Sequence, residues 1–361
     1  MSDEPDPRSG LASLISSWRH IWSRAGLAQV DPVDHSDSPT DHWLADWQAD
    51  VLLPDFQMRQ YELCSQPHLP EEGAGHLRAT LVRRHSPRHR RAVLYIHGWN
   101  EYFFQAHVAA VFDELGFDFF AIDLHRYGRS LQDGELPGYM TDVRDYFPEL
   151  DAVVAEVRRD HDQVLLYGHS TGGLIAALYA NDRPHKFIGV MLNSPWIDLQ
   201  GSALFRALTP PLMRGLAMAT PTMALPLSEN DLYGRSLHRD YQGEWDYDLN
   251  LKRISSQPIR PGWTRAVVNA QDRVGSGLHI DAPVLVVTSS QSSAPKTWGP
   301  LVTSTDLAID VERVAARAYR LGWHVTLVRL VGALHDVSLS SAQVRRRFFD
   351  EIRRWVAAYL A

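Results

Sequence analysis

The chain has 361 residues, 45% of them hydrophobic and 22% charged, the proportions of an ordinary globular protein with apolar material for a large core. The net charge is −7, and residues 1–50 hold nine acids against three bases, so the remainder is nearly neutral and carries no nucleic-acid footprint. The single cysteine, Cys64, excludes an internal disulfide and fits a reducing compartment.

Residues 1–10, MSDEPDPRSG, are acidic, unlike a secretory signal, and read as disordered. In residues 11–24, Leu11, Leu14, Ile15, Trp18, Ile21 and Trp22 fall on one helical face. Such a helix either docks on the body of its own protein or lies on a surface where it touches membrane or acyl substrate. No apolar run reaches the ~20 residues of a membrane span, so the expected location is cytoplasmic, with peripheral membrane contact left open. Residues 30–42, VDPVDHSDSPTDH, form an acidic linker, and residues 1–45 are expected to be an N-terminal extension.

Beyond it, strand and helix signals alternate. Strands are expected at His76–Arg84, Ala92–His97, Phe117–Asp123, Val164–Tyr167, Phe187–Asn193, Pro283–Ser289 and Val325–Leu330. Helices are expected at 103–115, Thr141–Arg159, Gly172–Ala180, 311–321 and 341–360. Short apolar strands separated by helices imply βαβ units and a mostly parallel central sheet flanked by helices. Between Ser194 and Ile280 the strand signals vanish, and prolines, tryptophans and helix-like pieces replace them. The chain therefore divides into a first core part at 46–194, a mainly helical lid insertion at 195–280 and a second core part at 281–361.

The apolar run Val164–Tyr167 stops at Gly168-His-Ser170-Thr-Gly172-Gly173. A serine hydroxyl becomes a useful nucleophile only beside a base, and it must stand clear of the sheet for base and substrate to reach it. A sharp strand-to-helix turn does this, and glycines two positions either side relieve the crowding it causes. Gly168 and Gly172 fill those positions, so Ser170 is expected on a nucleophile elbow. The helix that follows offers main-chain N–H groups to an oxyanion. The Thr171 N–H is one expected donor. The other is the Trp99 N–H, in the loop His97-Gly98-Trp99-Asn100 that follows the strand Ala92–His97. His97 itself reads as a structural hydrogen-bonding residue.

Several motifs together carry a resemblance: HGWNEY at 97–102, DLHRYGRS at 123–130, GHSTGG at 168–173, LNSPW at 192–196, TDLAIDV at 305–311 and GALHD at 332–336. The chain resembles the α/β-hydrolase superfamily over about residues 75–360, and within it the branch of monoacylglycerol lipases, lysophospholipases and serine aminopeptidases. The resemblance implies an α/β-hydrolase fold and a triad in the chain order Ser, acid, His. His335, in the loop after the strand 325–330, then holds the place of the base, ahead of His279 and His324. The family's acid usually follows the strand 283–289 within a few residues, but here the first acid is Asp306, after a lengthened loop. The register of Asp306-Leu-Ala-Ile-Asp310-Val311 makes Asp306 the expected acid and Asp310 the rival, more simply read as a helix cap. Asp336 is read as a surface or loop-fixing residue, and Asp123 as structural.

These residues imply a serine hydrolase acting on a small-molecule ester, of monoacylglycerol or lysophospholipid type, through an acyl-enzyme. A peptide-cleaving or acyl-transferring use of the same triad and a non-enzymatic scaffold are the alternatives. No cofactor is expected, and no Cys/His cluster has metal-ligand spacing. The acids Glu229, Asp231, Glu244, Asp246 and Asp248 would serve an amine-binding site or simply a solvated loop. Trp196, Trp245 and Trp263 either line a pocket or fill core.

Overall fold

The computed structural model describes residues 40–200, 203–225 and 231–360. The readings of residues 1–10 and 11–24, those of the linker 30–42 and the extension 1–45 as far as Pro39, and that of Glu229 lie outside the described residues. Ten strands form one sheet: β1 (His42–Trp43), β2 (Gln48–Ala49), β3 (Gln57–Pro67), β4 (His76–Arg83), β5 (Arg91–Ile96), β6 (Phe117–Asp123), β7 (Gln163–His169), β8 (Gly189–Asn193), β9 (Val284–Ser289) and β10 (Val325–Leu330). Their order is β1-β3-β4-β6-β5-β7-β8-β9-β10, with β2 paired to β3. From β6 to β10 every pairing is parallel, and β1 to β4 join antiparallel at one edge.

The parallel strands read as unbroken apolar runs because both faces of the sheet are covered. Along β5, Leu94 and Ile96 join one buried cluster while Val93 and Tyr95 join another, as the two-residue period of a strand requires. The helices supply the covers: α1 (Ala106–Glu114), α2 (Phe147–Val157), α3 (Thr171–Asp182), α4 (Ala203–Ala219), α5 (Leu232–Leu237), α6 (Pro261–Ser276), α7 (Val311–Ala318) and α8 (Ala342–Tyr359). Phe112 of α1 and Phe348, Ile352 and Trp355 of α8 pack on one side, and Leu150 and Val153 of α2 with Leu174 and Leu178 of α3 on the other. Residues 171–180 of α3 are buried all round, which its small residues permit.

Several boundaries differ from the sequence expectation. The helix expected at 103–115 begins only at Ala106, because the Phe103 N–H donates to Asp123 (2.8 Å) and the Phe104 N–H to the Gln105 side chain (3.0 Å). The helix expected at 141–159 is a tight 3-10 turn, Val143–Tyr146, followed by α2. Pro148 has no N–H to donate back into that turn, so the α-helix restarts with the proline in its own first turn. Strand β3 was not anticipated. Its sequence QMRQYELCSQP is largely polar, and its pairing with β4 on one side and with β1 and β2 on the other, rather than an apolar run, defines it. Residues between β8 and β9 hold α4, α5 and α6 and, among those described, no strand. Among the described residues no helix is long and apolar enough to cross a membrane.

Candidate active site

The site lies where the parallel strands end, outside their carboxyl ends. β7 runs into Ser170 and then α3. Ser170 has φ +52° and ψ −118°, a conformation that a non-glycine residue adopts only under strain. The flanking glycines are sterically required. A Cβ on Gly168 would strike the main-chain oxygen of Gly172, and one on Gly172 would strike the main-chain oxygens of His97 and Ile96. The turn therefore presses against the end of β5, bringing the loop after β5 to the serine. A Cβ on Gly98 would lie 3.0 Å from the Ser170 Cβ.

Ser170 Oγ–H donates to His335 Nε2 (2.8 Å), and His335 Nδ1–H donates to Asp306 Oδ2 (2.9 Å). The carboxylate on Nδ1 selects this tautomer. All three residues are buried. The chain reaches Asp306 by a long excursion after β9 that closes on itself. The Asp306 N–H donates to the Gln291 carbonyl and the Ser293 N–H to the Asp306 carbonyl, both at 2.9 Å. Residues 292–305 are thus looped out, and the acid lies against the start of the loop. Its other oxygen, Oδ1, accepts from the N–H groups of Ala308 (2.7 Å) and Ile309 (3.0 Å). Asp310, the rival, accepts from the Arg313 N–H as the cap of α7. His324 and His279 pack against Tyr359 and Trp323 instead.

The main-chain N–H groups of Trp99 and Thr171 have no acceptor among the described residues. Both residues line a cavity of about 250 Å³ that contains Ser170 and His335. Trp99, Trp263 and Trp196 build one wall, with ring centroids 3.9 Å and 5.7 Å apart in that sequence. Ile254, Ile259, Leu307 and Ile309 add aliphatic surface. Trp245 lies elsewhere, stacked on His107. His97 accepts from the Leu124 N–H (3.1 Å), a structural bond.

Asp336 is no surface residue. It is fully buried and accepts from Gln105 Nε2, Asn193 Nδ2 and the Ser338 N–H and hydroxyl at 2.7–3.2 Å. Burial alone would raise its pKa, but His169 and the side-chain donors Ser338, Asn193 and Gln105 hold the carboxyl below its ordinary value. Burial, conversely, pushes His169 down. Asp123 anchors the loop beneath, accepting from the Phe103 and Arg129 N–H groups and the Arg129 guanidinium.

Composition and motif reading does not single out most of the cavity residues that the fold brings in from the segment between β8 and β9, among them Tyr233, Lys252 and Arg253. Tyr233 Oη accepts from the Asp336 N–H (3.0 Å). Arg253 is exposed, and its side chain has no partner among the described residues. One signal was available for Lys252: it is one of only three lysines in the chain. Of the acids considered for amine binding, Asp231, Glu244 and Asp246 pair with Arg235, Arg345 and Arg239, and no carboxylate is among the described cavity residues. Among the described residues, two groups bring three metal-capable side chains together: His42, Glu62 and Cys64 at the sheet edge, and Glu101, His169 and Asp336 behind Ser170. The second is already held by protein donors: Lys252 and Gly98 on Glu101, and Asn193, Gln105 and Ser338 on Asp336.

Residues 87–293, more than half of the chain, match the model of the family described as serine aminopeptidase, S33. The chain is 27% identical over 224 residues to 1-acylglycerol-3-phosphate O-acyltransferase from Rattus norvegicus, covering 54% of this chain and 62% of that protein. It is 22% identical over 275 residues to monoacylglycerol lipase from Mycolicibacterium smegmatis, covering 75% and 89%. The fold is similar to the crystal structure of Paleococcus ferrophilus monoacylglycerol lipase, with TM-score 0.54 and 21% identity over 74% of this chain and 94% of that one. The chain belongs to the serine aminopeptidase S33 family of α/β-hydrolases, in the branch that contains the monoacylglycerol lipases.

Proposed function

We propose that the protein is a serine hydrolase that cleaves carboxylic esters of monoacylglycerol or lysophospholipid type through an acyl-enzyme. The observation that carries this is the unbroken row from Ser170 Oγ through His335 to Asp306 beneath a largely apolar, aromatic-walled cavity. In this reading His335 Nε2 takes the Ser170 proton as Oγ attacks the ester carbonyl. Asp306 holds the imidazole in place and stabilises its cationic form. The Trp99 and Thr171 N–H groups receive the oxyanion, and loss of one such donor typically costs about 10²–10³ in rate. His335 then protonates the leaving alcohol and activates the water that releases the acid.

Residues 195–280 are read as a lid that sets substrate choice. The cavity lining favours esters over peptides with a free amino terminus, because an ammonium would find no carboxylate there among the described residues and would face the Arg253 guanidinium, Lys252 being already paired with Glu101. The exposed Arg253 guanidinium and the apolar walls suit an acyl ester whose head group carries a phosphate. Acyl transfer to an alcohol is a second reading, favoured by the similarity to the rat protein named as an O-acyltransferase.

The experiment is labelling by a fluorophosphonate probe, read by intact mass, on the wild type and on Ser170→Ala. One adduct on the wild type and none on the variant is expected. A folded wild type that takes no adduct would overturn the proposal. Turnover of monoacylglycerol, lysophospholipid and aminoacyl amides, with and without glycerol as acceptor, then separates hydrolysis, peptide cleavage and acyl transfer.

A further inference from the structure

The loop carrying Trp99 has little of its own to hold its shape. Gly98 has no side chain, and Asn100 is in the left-handed region at φ +54°, which asparagine tolerates. The loop is held by one carboxylate of its own and by contacts from the inserted segment. Glu101 Oε2 accepts from the Gly98 N–H (3.1 Å), and Lys252 Nζ donates to Glu101 Oε1 (3.0 Å). Further along the same segment, Asn100 Nδ2 donates to the Arg253 carbonyl (2.7 Å), the Arg253 N–H returns to Asn100 Oδ1 (3.2 Å), and the Trp99 indole N–H donates to Ser256 Oγ (3.1 Å).

We propose that the buried Lys252–Glu101 ion pair is a positioning device, which ties the inserted segment 252–256 to the loop 98–101 and keeps the Trp99 N–H aimed at the oxygen it is to receive. This rests on the oxyanion role assigned to Trp99 above. Both side chains are almost wholly enclosed, 7% exposed for Lys252 and 1% for Glu101. The ammonium lies 5.6–5.9 Å from the ring centroids of Phe104, Tyr233 and Tyr247, which keep water away from it. A buried ion pair adds little net stability over an apolar pair of the same size, because desolvation offsets the attraction. Its value here is geometric. The pair fixes one carboxylate oxygen, and with it the second oxygen on which the Gly98 N–H rests. Without the lysine, Glu101 keeps only the Gly98 N–H and His169, whose Nε2 lies 3.8 Å from Oε2, and a buried carboxylate that has lost its ammonium partner either loses its charge or turns away from the loop. Either change removes the ionised acceptor from the peptide adjoining Trp99. Lys252 also lines the cavity, so seating of the inserted segment and readiness of the oxyanion donor are coupled through one contact.

The test compares wild type, Lys252→Met, Lys252→Arg, Glu101→Gln and the double variant Lys252→Met/Glu101→Gln, all assayed below their melting temperatures with a short neutral ester. Lys252→Met is expected to lower kcat about 10- to 100-fold, short of the ~10²–10³ that follows outright loss of an oxyanion donor. KM should move by less than about twofold, since the lost interaction is made in the transition state. Lys252→Arg should recover most of the rate. The double variant should lose no more than Lys252→Met alone, because the two residues act as one unit. A folded Lys252→Met with wild-type kcat, or losses that add in the double variant, would overturn the inference. If Lys252→Met does not fold, Glu101→Gln must show the same fall in kcat, and wild-type kcat in that variant overturns the inference equally. Labelling of wild-type Ser170 alongside an unaffected Lys252→Met overturns this inference and leaves the hydrolase reading standing. A folded wild type that neither labels nor turns over removes both.

Discussion

Replacing Asp306 by asparagine tests the proposed triad at the position that the long loop made hardest to assign. The exchange keeps the shape of the side chain, and its consequence follows from three hydrogen bonds. In the wild type, Oδ1 accepts from Ala308 and Ile309 N–H, and Oδ2 accepts from His335 Nδ1–H. An asparagine can preserve only one of these faces. If its oxygen stays on the two backbone donors, its NH₂ group faces Nδ1, which must then be a lone pair. The imidazole proton moves to Nε2 and points at Ser170 Oγ, so the histidine can no longer accept the hydroxyl proton. If the amide flips, His335 keeps its tautomer but two buried N–H groups lose their acceptor, at about 1–3 kcal/mol each. The first arrangement therefore dominates. The corresponding exchange in a serine-protease triad lowers kcat by about 10⁴, equivalent to about 5 kcal/mol of barrier, and a loss of that order is expected here. The assay is steady-state hydrolysis of a p-nitrophenyl ester, with Asp310→Asn as control. Asparagine caps a helix about as well as aspartate, so the control should keep both its turnover and its melting temperature. Asp306→Asn within tenfold of wild type, or Asp310→Asn without turnover, would refute the assignment.

Four further outcomes are expected. Asp336→Ala strands the buried donors of Gln105, Asn193 and Ser338 and should cost about 3–5 kcal/mol of stability in denaturant melts; a loss under about 1 kcal/mol would contradict the buried network. The same carboxyl titrates below its ordinary value of 3.8 when folded. Its stabilisation is thus complete above that pH and is lost as pH falls through the depressed value, so Asp336→Asn should flatten the acid limb of stability below about pH 4, and an unchanged limb would show that other groups set it. Gly172→Ala drives a methyl group into the main-chain oxygens of His97 and Ile96, which belong to backbone and cannot turn aside; a loss of about 1–3 kcal/mol or more and failure of fluorophosphonate labelling are expected, and normal labelling would mean the elbow is looser than described. Arg253→Ala should raise KM about 10-fold or more for a phosphate-bearing acyl ester, the worth of one charge-assisted contact, with a smaller change for a neutral one; equal changes for both would remove the head-group role.

The parts of the molecule visible in the sequence are those whose causes are local. Unbroken apolar runs such as Ala92–Ile96 and Val164–Tyr167 announce strands buried on both faces, because no residue in them could face water. The elbow is equally local: Gly168 and Gly172 lie within two residues of Ser170, and the clash that excludes a side chain at either place involves the same turn or the strand end beneath it. Strand β3 has no local signature, because its polar residues resemble a loop until pairing with β4, β1 and β2 satisfies the backbone.

What the tertiary structure alone decided is which distant residues share a space. His335 and Asp306 could be suspected from chain order and family resemblance, but only the main-chain bonds of Asp306 to Gln291 and Ser293 explain how an acid so far beyond β9 comes to face the histidine. No local pattern makes Asp336 a buried acceptor of three side chains' donors, since in sequence it is one more acid in a loop. Nor does any pattern join Lys252 to Glu101, 151 positions apart in the chain. Charge compensation in a buried site depends on which groups are excluded from water together, and that is fixed when the inserted segment packs on the ends of the strands, not by any neighbour along the chain.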